Sequence, residues 1–321
     1  MRNTSNTELN SHISVLRDET LAALAPSGDR HYVDATLGAG GHTRALLALY
    51  PYSRLTGFDR DPKAIALTES TLNGAGIAPE RYTLINAPYS EITRHLAPQS
   101  ITGGLMADLG FASFQVNDAE RGWSFSQNAP LDMRYNPQDA STPTAAMLLA
   151  TLEESELRHI FSTYGEDPLA RPIARAIVAD RETAPLTHTL ALAELVARIA
   201  RTHYKAKSRT HPATRVFQAL RIAVNQEFEH LNKLLEALPA LCAPGARIAV
   251  ITFHSLEDRI VKQQFKQWLN PCRCPAGFPK CVCGETLQWE TPHRKAITPT
   301  EAEVRHNPRA RSAKLRVIIK R

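Results

Sequence analysis

The chain has 321 residues, 43% hydrophobic and 22% charged, a globular composition with room for one large domain or two modest ones. No apolar run is long enough to cross a bilayer, and the opening MRNTSNTELNSHISVL lacks the apolar core of a secretory signal, so no membrane partner and a cytoplasmic location are expected. The formal net charge of +6 suits a polyanionic partner such as RNA without demanding one.

The first half alternates strands with helices. HYVDAT reads as a strand, LGAGGH as a glycine turn and HTRALLALY as a helix. SRLTGFD is a second strand, and Asp61-Pro62 opens the helix DPKAIALTESTL with proline in its first turn. RYTLINA and ITGGLMAD follow as third and fourth strands, a pattern that predicts a parallel sheet with helices on both faces. From about Phe111 to Asn136 the chain is a loop rich in Phe, Asn, Asp, Gly and Pro. Four helical stretches come next: TAAMLLATL, ESELRHIFSTYG, PLARPIARAIVADR and LALAELVARIART. After the basic loop YKAKSRTHPATR, the segment VFQALRIAVNQEFEHLNKLLEAL reads as one long amphipathic helix. PGARIAVITFHS is turn plus strand, and SLEDRIVKQQFKQWL is a helix with Ser255 and Asp258 resembling a capping box. A cysteine-rich loop and a basic strand, AKLRVIIK, end the chain. The expected organisation is an α/β core over residues 1–112, a mostly helical insertion over 113–212, and the rest of the core over 213–321.

The strongest local signal is VDATLGAGGHT followed by GFDRD. Glycines after a first strand let the backbone approach a ligand, and an acid ending the second strand, here Asp59, can accept from ribose hydroxyls. A dinucleotide fingerprint needs a third glycine or alanine, and that place holds Thr43. The pattern of Gly40, Gly41 and Asp59 suits a nucleoside without phosphates, such as S-adenosylmethionine, better than NAD. Asp108, ending the fourth strand, would meet the glycine loop at the switch point of a doubly wound sheet.

The segments DATLGAGGHTRALL, GFDRDPKAI, DLGFASFQVNDAERGWSF, PLDMRYNP, ARPIARAIV, HPATRVFQALRIAVNQE and FHSLEDRIVK resemble, in order, the ribosomal RNA small subunit methyltransferase H (MraW) family. The resemblance implies a Rossmann-like class I methyltransferase sheet with an inserted helical domain that engages RNA. It implies S-adenosylmethionine-dependent N4-methylation of a cytidine in 16S rRNA, within the small ribosomal subunit, at the P site of the decoding centre. It also places Gly40, Gly41, His42, Asp59, Tyr89, Asp108 and Gln115 at the cofactor, with Tyr89 where the family usually has Phe. Where the family reads DLGVSSPQ this chain reads DLGFASFQ, so Ala112 and Phe114 replace Ser and Pro.

Cytosine's amino group is a poor nucleophile, because its lone pair is delocalised into the ring. An acceptor for the amino hydrogens would help, and Asp108 is the candidate catalytic residue; the alternative is that Asp108 only binds the methionine amino group. The target base must leave its stack, and Phe111, Phe114, Trp123 and Phe125 are candidate stacking partners. Lys205, Lys207, Arg209 and Arg215, with His203 and His211 nearby, are candidate phosphate contacts. No metal is assigned to the active site. Cys272, Cys274, Cys281 and Cys283 form a C-x-C…C-x-C pattern that could bind a structural zinc, although its spacing is shorter than the usual two to four residues. A homodimer is compatible with this reading. Two other functions compete, an NAD-dependent oxidoreductase and a non-catalytic RNA-binding assembly factor.

Overall fold

The structure is a computed structural model that describes residues 14–25, 28–203, 211–275 and 282–321. It divides into two compact units, residues 1–110 with 230–321, and residues 111–229.

In chain order the first part of the sheet unit holds α1 (Arg17–Leu24), β1 (His31–Asp34), α2 (Gly41–Leu49), β2 (Arg54–Asp59), α3 (Pro62–Gly74), β3 (Tyr82–Asn86), α4 (Ile92–His95) and β4 (Gly104–Asp108). The helical unit contributes α5 (Ser113–Asn117), α6 (Ala145–Thr151), α7 (Glu154–Thr163), α8 (Ala170–Asp180), α9 (Thr189–His203) and α10 (Ala213–Asn225). The chain then runs through α11 (Glu227–Leu241), β5 (Arg247–Thr252), α12 (Ser255–Leu269), β6 (Trp289–Glu290), α13 (Glu301–His306) and β7 (Lys314–Lys320).

The seven strands form one sheet in the order β3-β2-β1-β4-β5-β7-β6. β1 to β5 pair in parallel, and β7 runs antiparallel to both β5 and β6. Alternation along the strands sends residues to two cores. Val33, Leu105, Ala107, Ile248 and Val250 face a cluster with Leu231, Leu234, Leu235 and Leu238 of α11 and Val261 of α12. Tyr32, Leu55, Met106, Ala249 and Ile251 face a second cluster with Leu21 and Leu24 of α1 and Leu46 and Leu47 of α2. Burial on both faces is why these strands read as near-continuous apolar runs. α3 starts as the sequence predicts: Pro62 occupies the first turn, and the Asp61 carboxylate accepts from Lys63 N–H at 3.0 Å.

The helical unit has its own core, with Leu149 of α6, Leu157, Ile160 and Phe161 of α7, Ile173 and Ile177 of α8 and Leu192 and Val196 of α9. Val216, Phe217, Leu220 and Val224 of α10 join that core. The expected boundary at residue 212 is therefore corrected: α10 belongs to the helical unit, which runs to residue 229. The single long helix expected over 216–238 is also corrected. It breaks at Gln226, whose φ of 48° is left-handed, between α10 and α11. Long-range bonds fix the break. Asn225 Nδ2 donates to Met133 O (2.7 Å) and Arg221 O (2.9 Å), and its Oδ1 accepts from Tyr135 N–H (2.9 Å).

Among the described residues no helix is long and apolar enough to cross a membrane.

Candidate active site

The parallel strands deliver chemistry to one edge of the sheet, their carboxyl ends. β1 ends at Asp34, β2 at Asp59 and β4 at Asp108; Tyr89 follows β3, and His254 and Glu257 follow β5. In an open α/β sheet this edge is where ligands bind.

After Asp34 the chain turns through Gly38 (φ 54°) and Gly40 (φ 77°) into α2. The turn needs glycine at position 40 for space as well as angle, because a Cβ there would lie 2.9 Å from Thr68 Cγ2 on α3. A Cβ on Gly41 would collide with Ser14 Oγ. Gly40 and Gly41 thus seat the loop against its neighbours, which holds its backbone at the sheet edge.

Asp59 is bound to this loop. Its Oδ2 accepts from Gly38 N–H and its Oδ1 from Asp61 N–H, both at 2.9 Å. A carboxylate offers about four lone-pair sites, so these two bonds leave acceptor capacity for a ligand diol. Burial pushes the Asp59 carboxyl up to about 7, against the two backbone hydrogen bonds that hold it down.

A second network runs beneath the loop. Asp34, 2% exposed, accepts from Thr43 Oγ1 at 2.6 Å and from Thr36 N–H at 3.1 Å. Thr36 Oγ1 in turn accepts from Asp108 N–H at 2.6 Å. Burial raises the Asp34 carboxyl to about 6, opposed by the Thr43 and Thr36 bonds. His42 is buried on the first turn of α2; its Nε2 donates to Val15 O at 3.2 Å, and its Nδ1 lies 3.8 Å from Asp108 Oδ2. Asp108 Oδ1 is enclosed with no hydrogen-bond partner among the described residues. Burial, then the charges of Asp34 and Glu257, hold the Asp108 carboxyl well above the usual carboxylate range. An enclosed acceptor without a donor is costly in a protein alone and is what a cationic or donating ligand would satisfy.

The structure therefore gathers Gly40, Gly41, His42, Asp59 and Asp108 around one loop. Tyr89 lies at the same edge, partly buried, its ring 6.3 Å edge-on from that of His230, while neighbouring Ser90 Oγ is 2.6 Å from His230 Nδ1. Gln115 belongs to the helical unit, where it is 2% exposed and its Oε1 accepts from Ala112 N–H at 2.8 Å. Sequence reasoning passed over Asp34, although it ends a strand just as Asp59 and Asp108 do, and that shared position was the available signal. It also assigned the α12 cap to Ser255 and Asp258. The structure corrects this to His254 and Glu257: Glu257 Oε2 accepts from Phe253 N–H at 2.9 Å, and His254 Nδ1 accepts from Glu257 N–H at 3.4 Å. The helix begins at Ser255, one residue earlier than a Ser255 cap would require, which moves both roles back by one position.

In the helical unit the candidate stacking residues separate by exposure. Trp123 is edge-on to Phe111 at 5.6 Å and to Tyr135 at 4.8 Å, and Phe125 packs on Phe217 at 4.9 Å. Phe114 is half-buried, whereas Phe111 is 43% exposed, with the Arg221 guanidinium 5.0 Å from its ring centre. Of the candidate phosphate contacts, Lys205, Lys207 and Arg209 lie outside the described residues, and Arg215 donates to Glu166 O at 2.9 Å.

The MraW methylase family matches residues 9–321. A protein of Geobacter sp. strain M21, named ribosomal RNA small subunit methyltransferase H, is 46% identical over 312 residues, covering 96% of this chain and 98% of the relative. A protein of Magnetococcus marinus with the same name is 46% identical over 315 residues, covering 95% and 97%. Among solved structures, an rRNA methylase from Streptococcus thermophilus is 13% identical with a TM-score of 0.42, covering 96% of this chain and 98% of that one, a likeness that carries no weight beside the sequence match. A sheet ordered β3-β2-β1-β4-β5-β7-β6 with β7 antiparallel is the Rossmann-like class I methyltransferase sheet. The glycine loop, the acid ending β2 and the acid ending β4 lie at the carboxyl edge of that sheet. The chain belongs to the MraW methylase family, whose members are S-adenosylmethionine-dependent methyltransferases.

Proposed function

We propose that this chain methylates N4 of a cytidine in 16S rRNA, at the P site of the decoding centre, within the small ribosomal subunit in the cytoplasm. The rRNA substrate is supported by relatives that bear the name ribosomal RNA small subunit methyltransferase H and align over nearly their whole length. The observation that carries the chemistry is Asp108, whose enclosed, partnerless oxygen stands beside the glycine loop.

The residues fit S-adenosylmethionine. Asp59 has acceptor sites left for two ribose hydroxyls, and Tyr89 supplies a flat face beside the adenine; the family resemblance adds Gln115 to the cofactor contacts. When bound, the cofactor supplies a methyl group made electrophilic by the sulfonium. The protein's task is then to orient and to accept protons. Asp108 accepts from an amino group, that of the cofactor's methionine portion or that of the target base. His42, held by Val15 O, positions Asp108 rather than reacting. Phe111, the exposed aromatic of the four candidates, is the stacking partner for a base taken out of its helix. Arg215, with Lys205, Lys207 and Arg209, meets phosphates.

The dinucleotide alternative loses ground at Thr43. Its hydroxyl is committed to Asp34 at 2.6 Å, at the place where a dinucleotide site has a glycine or alanine.

The test is incubation of the protein with methyl-labelled S-adenosylmethionine and small subunits from cells that lack the modification, followed by mapping of the label. Label on one decoding-centre cytidine at N4 is expected. Label at another position would overturn the assignment of the target, and no label on RNA would overturn the function.

A further inference from the structure

Between Leu269 at the end of α12 and Trp289 in β6 the chain forms no helix or strand among its described residues. Those described residues are exposed or half-buried and form no apolar core of their own. A long stretch of this kind needs another source of order. Its two ends are pinned together: Trp268 stacks on Trp289 at 4.6 Å and 13°, and Phe265 stacks on Trp268 at 5.6 Å and 23°.

Inside that closed loop three thiols meet. The Sγ atoms of Cys272, Cys274 and Cys283 all lie within 4.8 Å of one another, and those of Cys272 and Cys283 are 3.9 Å apart. Among the described residues none of the three forms a disulfide. Zinc binds thiolate at about 2.3 Å, and a tetrahedron of that radius separates its sulfurs by about 3.8 Å.

We infer that Cys272, Cys274 and Cys283 hold one zinc ion that orders the loop between α12 and β6. The short C-x-C spacing is no obstacle in an extended chain, because residues i and i+2 point to the same side. One limb thereby presents Cys272 and Cys274 together, and the other presents Cys283. The limbs are tied by two further contacts. Val282 N–H points at Cys274 Sγ at 3.4 Å, the kind of bond that steadies a thiolate ligand. Arg273 Nε lies 3.4 Å from Glu285 Oε1. Gly284, with φ of 69°, turns the chain immediately after Cys283. Three sulfurs this close surround one ion, whereas an iron–sulfur cluster spreads its thiolates over several irons. On binding, each thiol gives its proton to solvent, so affinity rises with pH. Cys281, the remaining cysteine of the pattern, lies outside the described residues, and the inference does not depend on it.

The experiment is elemental analysis of the untagged full-length protein, purified and reconstituted with zinc under reducing conditions. One zinc per chain is expected. The Cys272→Ser/Cys283→Ser double variant is expected to lose it, and Cys242→Ser, which alters a buried thiol in the sheet core, is expected to keep it. A variant-free readout accompanies this. The wild-type chain loaded with cobalt(II) should show thiolate-to-cobalt charge transfer in the near ultraviolet and the intense visible bands of a tetrahedral site. Failure of the wild-type chain to take up zinc, cobalt spectra without thiolate charge transfer, or full zinc retention by the double variant would each overturn the inference.

Discussion

Two clusters of buried charge, one in each unit, are treated in opposite ways. In the helical unit, Arg221 is 8% exposed and its guanidinium grips Glu227, 7% exposed, through two bonds of 2.8 Å. Arg121 is likewise buried, with Nη1 donating to Tyr135 O at 2.8 Å and Nε to Asp118 at 3.3 Å. In the sheet unit, Asp34, Asp59 and Asp108 end neighbouring strands, with neutral donors for the first two and, among the described residues, none for one oxygen of the third. All three carboxyls are pushed upward: burial outweighs the bonds that Asp34 and Asp59 receive, and at Asp108 burial acts together with the charges of Asp34 and Glu257. Paired buried charge holds a structure together. Buried charge left short of partners marks the place where a ligand finishes the bonding.

The comparison is tested most severely by Arg221→Met. Removing one partner leaves Glu227 buried alone, and a loss of about 3–5 kcal/mol in unfolding free energy is expected from denaturant melts. A loss below about 1 kcal/mol would show that this pair resembles an exposed one.

The carboxylates of the sheet unit should reverse the sign. Their folded-state values lie above those of the unfolded chain, so the stability they allow is complete below about pH 4 and falls as pH rises through about 6 for Asp34 and about 7 for Asp59. One pKa unit corresponds to about 1.4 kcal/mol, so Asp34 alone accounts for about 3 kcal/mol lost between pH 4 and 7. His31, whose pKa is lowered by burial first, works in the opposite direction over part of that window. The informative quantity is therefore the difference in unfolding free energy between the wild-type chain and Asp34→Asn, measured in the absence of cofactor at pH 4.5 and 7.5. It should shift in favour of the variant as pH rises; no change with pH would break the contrast.

Asp108→Asn should separate stability from binding. The variant should melt no lower than the wild-type chain, because it relieves an unfavourable burial. Its affinity for S-adenosylmethionine in calorimetry should fall by about 1.5–3 kcal/mol, roughly 10- to 100-fold. Equal proportional losses in cofactor affinity and in methyl transfer would leave Asp108 a binding residue only; a larger loss in transfer would support its role toward the target amino group. The smallest effect belongs to an exposed pair. Arg198 and Asp180 approach to 3.5 Å with both side chains about half exposed, and Asp180→Ala should change stability by less than about 0.5 kcal/mol.

Much of the sheet unit was legible because its signals are local. β1 to β4, the glycine turn and the acids Asp59 and Asp108 all announce themselves within a few residues. The elements that stayed hidden depend on distant partners. Nothing in the composition around Gln226 marks a helix break, since no glycine or proline stands there; Met133 and Tyr135, bonded to Asn225, help to hold it. β6 is two residues long and exists through its pairing with β7. α1 has a weak apolar pattern, and it is tied to the sheet by burial of Leu21 and Leu24 and by Arg247 Nη1, which donates to Ala23 O at 3.1 Å. The assignment of Gln115 and Asp108 to different units was hidden for the same reason. Spacing along the chain put Gln115 next to Asp108, but which core each joins is decided by packing.

The sheet's strand order also sets an order of events during synthesis. β4 is finished at Asp108, yet its parallel neighbour β5 begins only at Arg247, after the whole helical unit has been made. Until then the nascent half-sheet carries an open edge, the kind of template on which chains aggregate. The helical unit lies wholly between these two strands in sequence and can condense in the meantime, so the closure of the sheet is the step at which a chaperone would have most to protect.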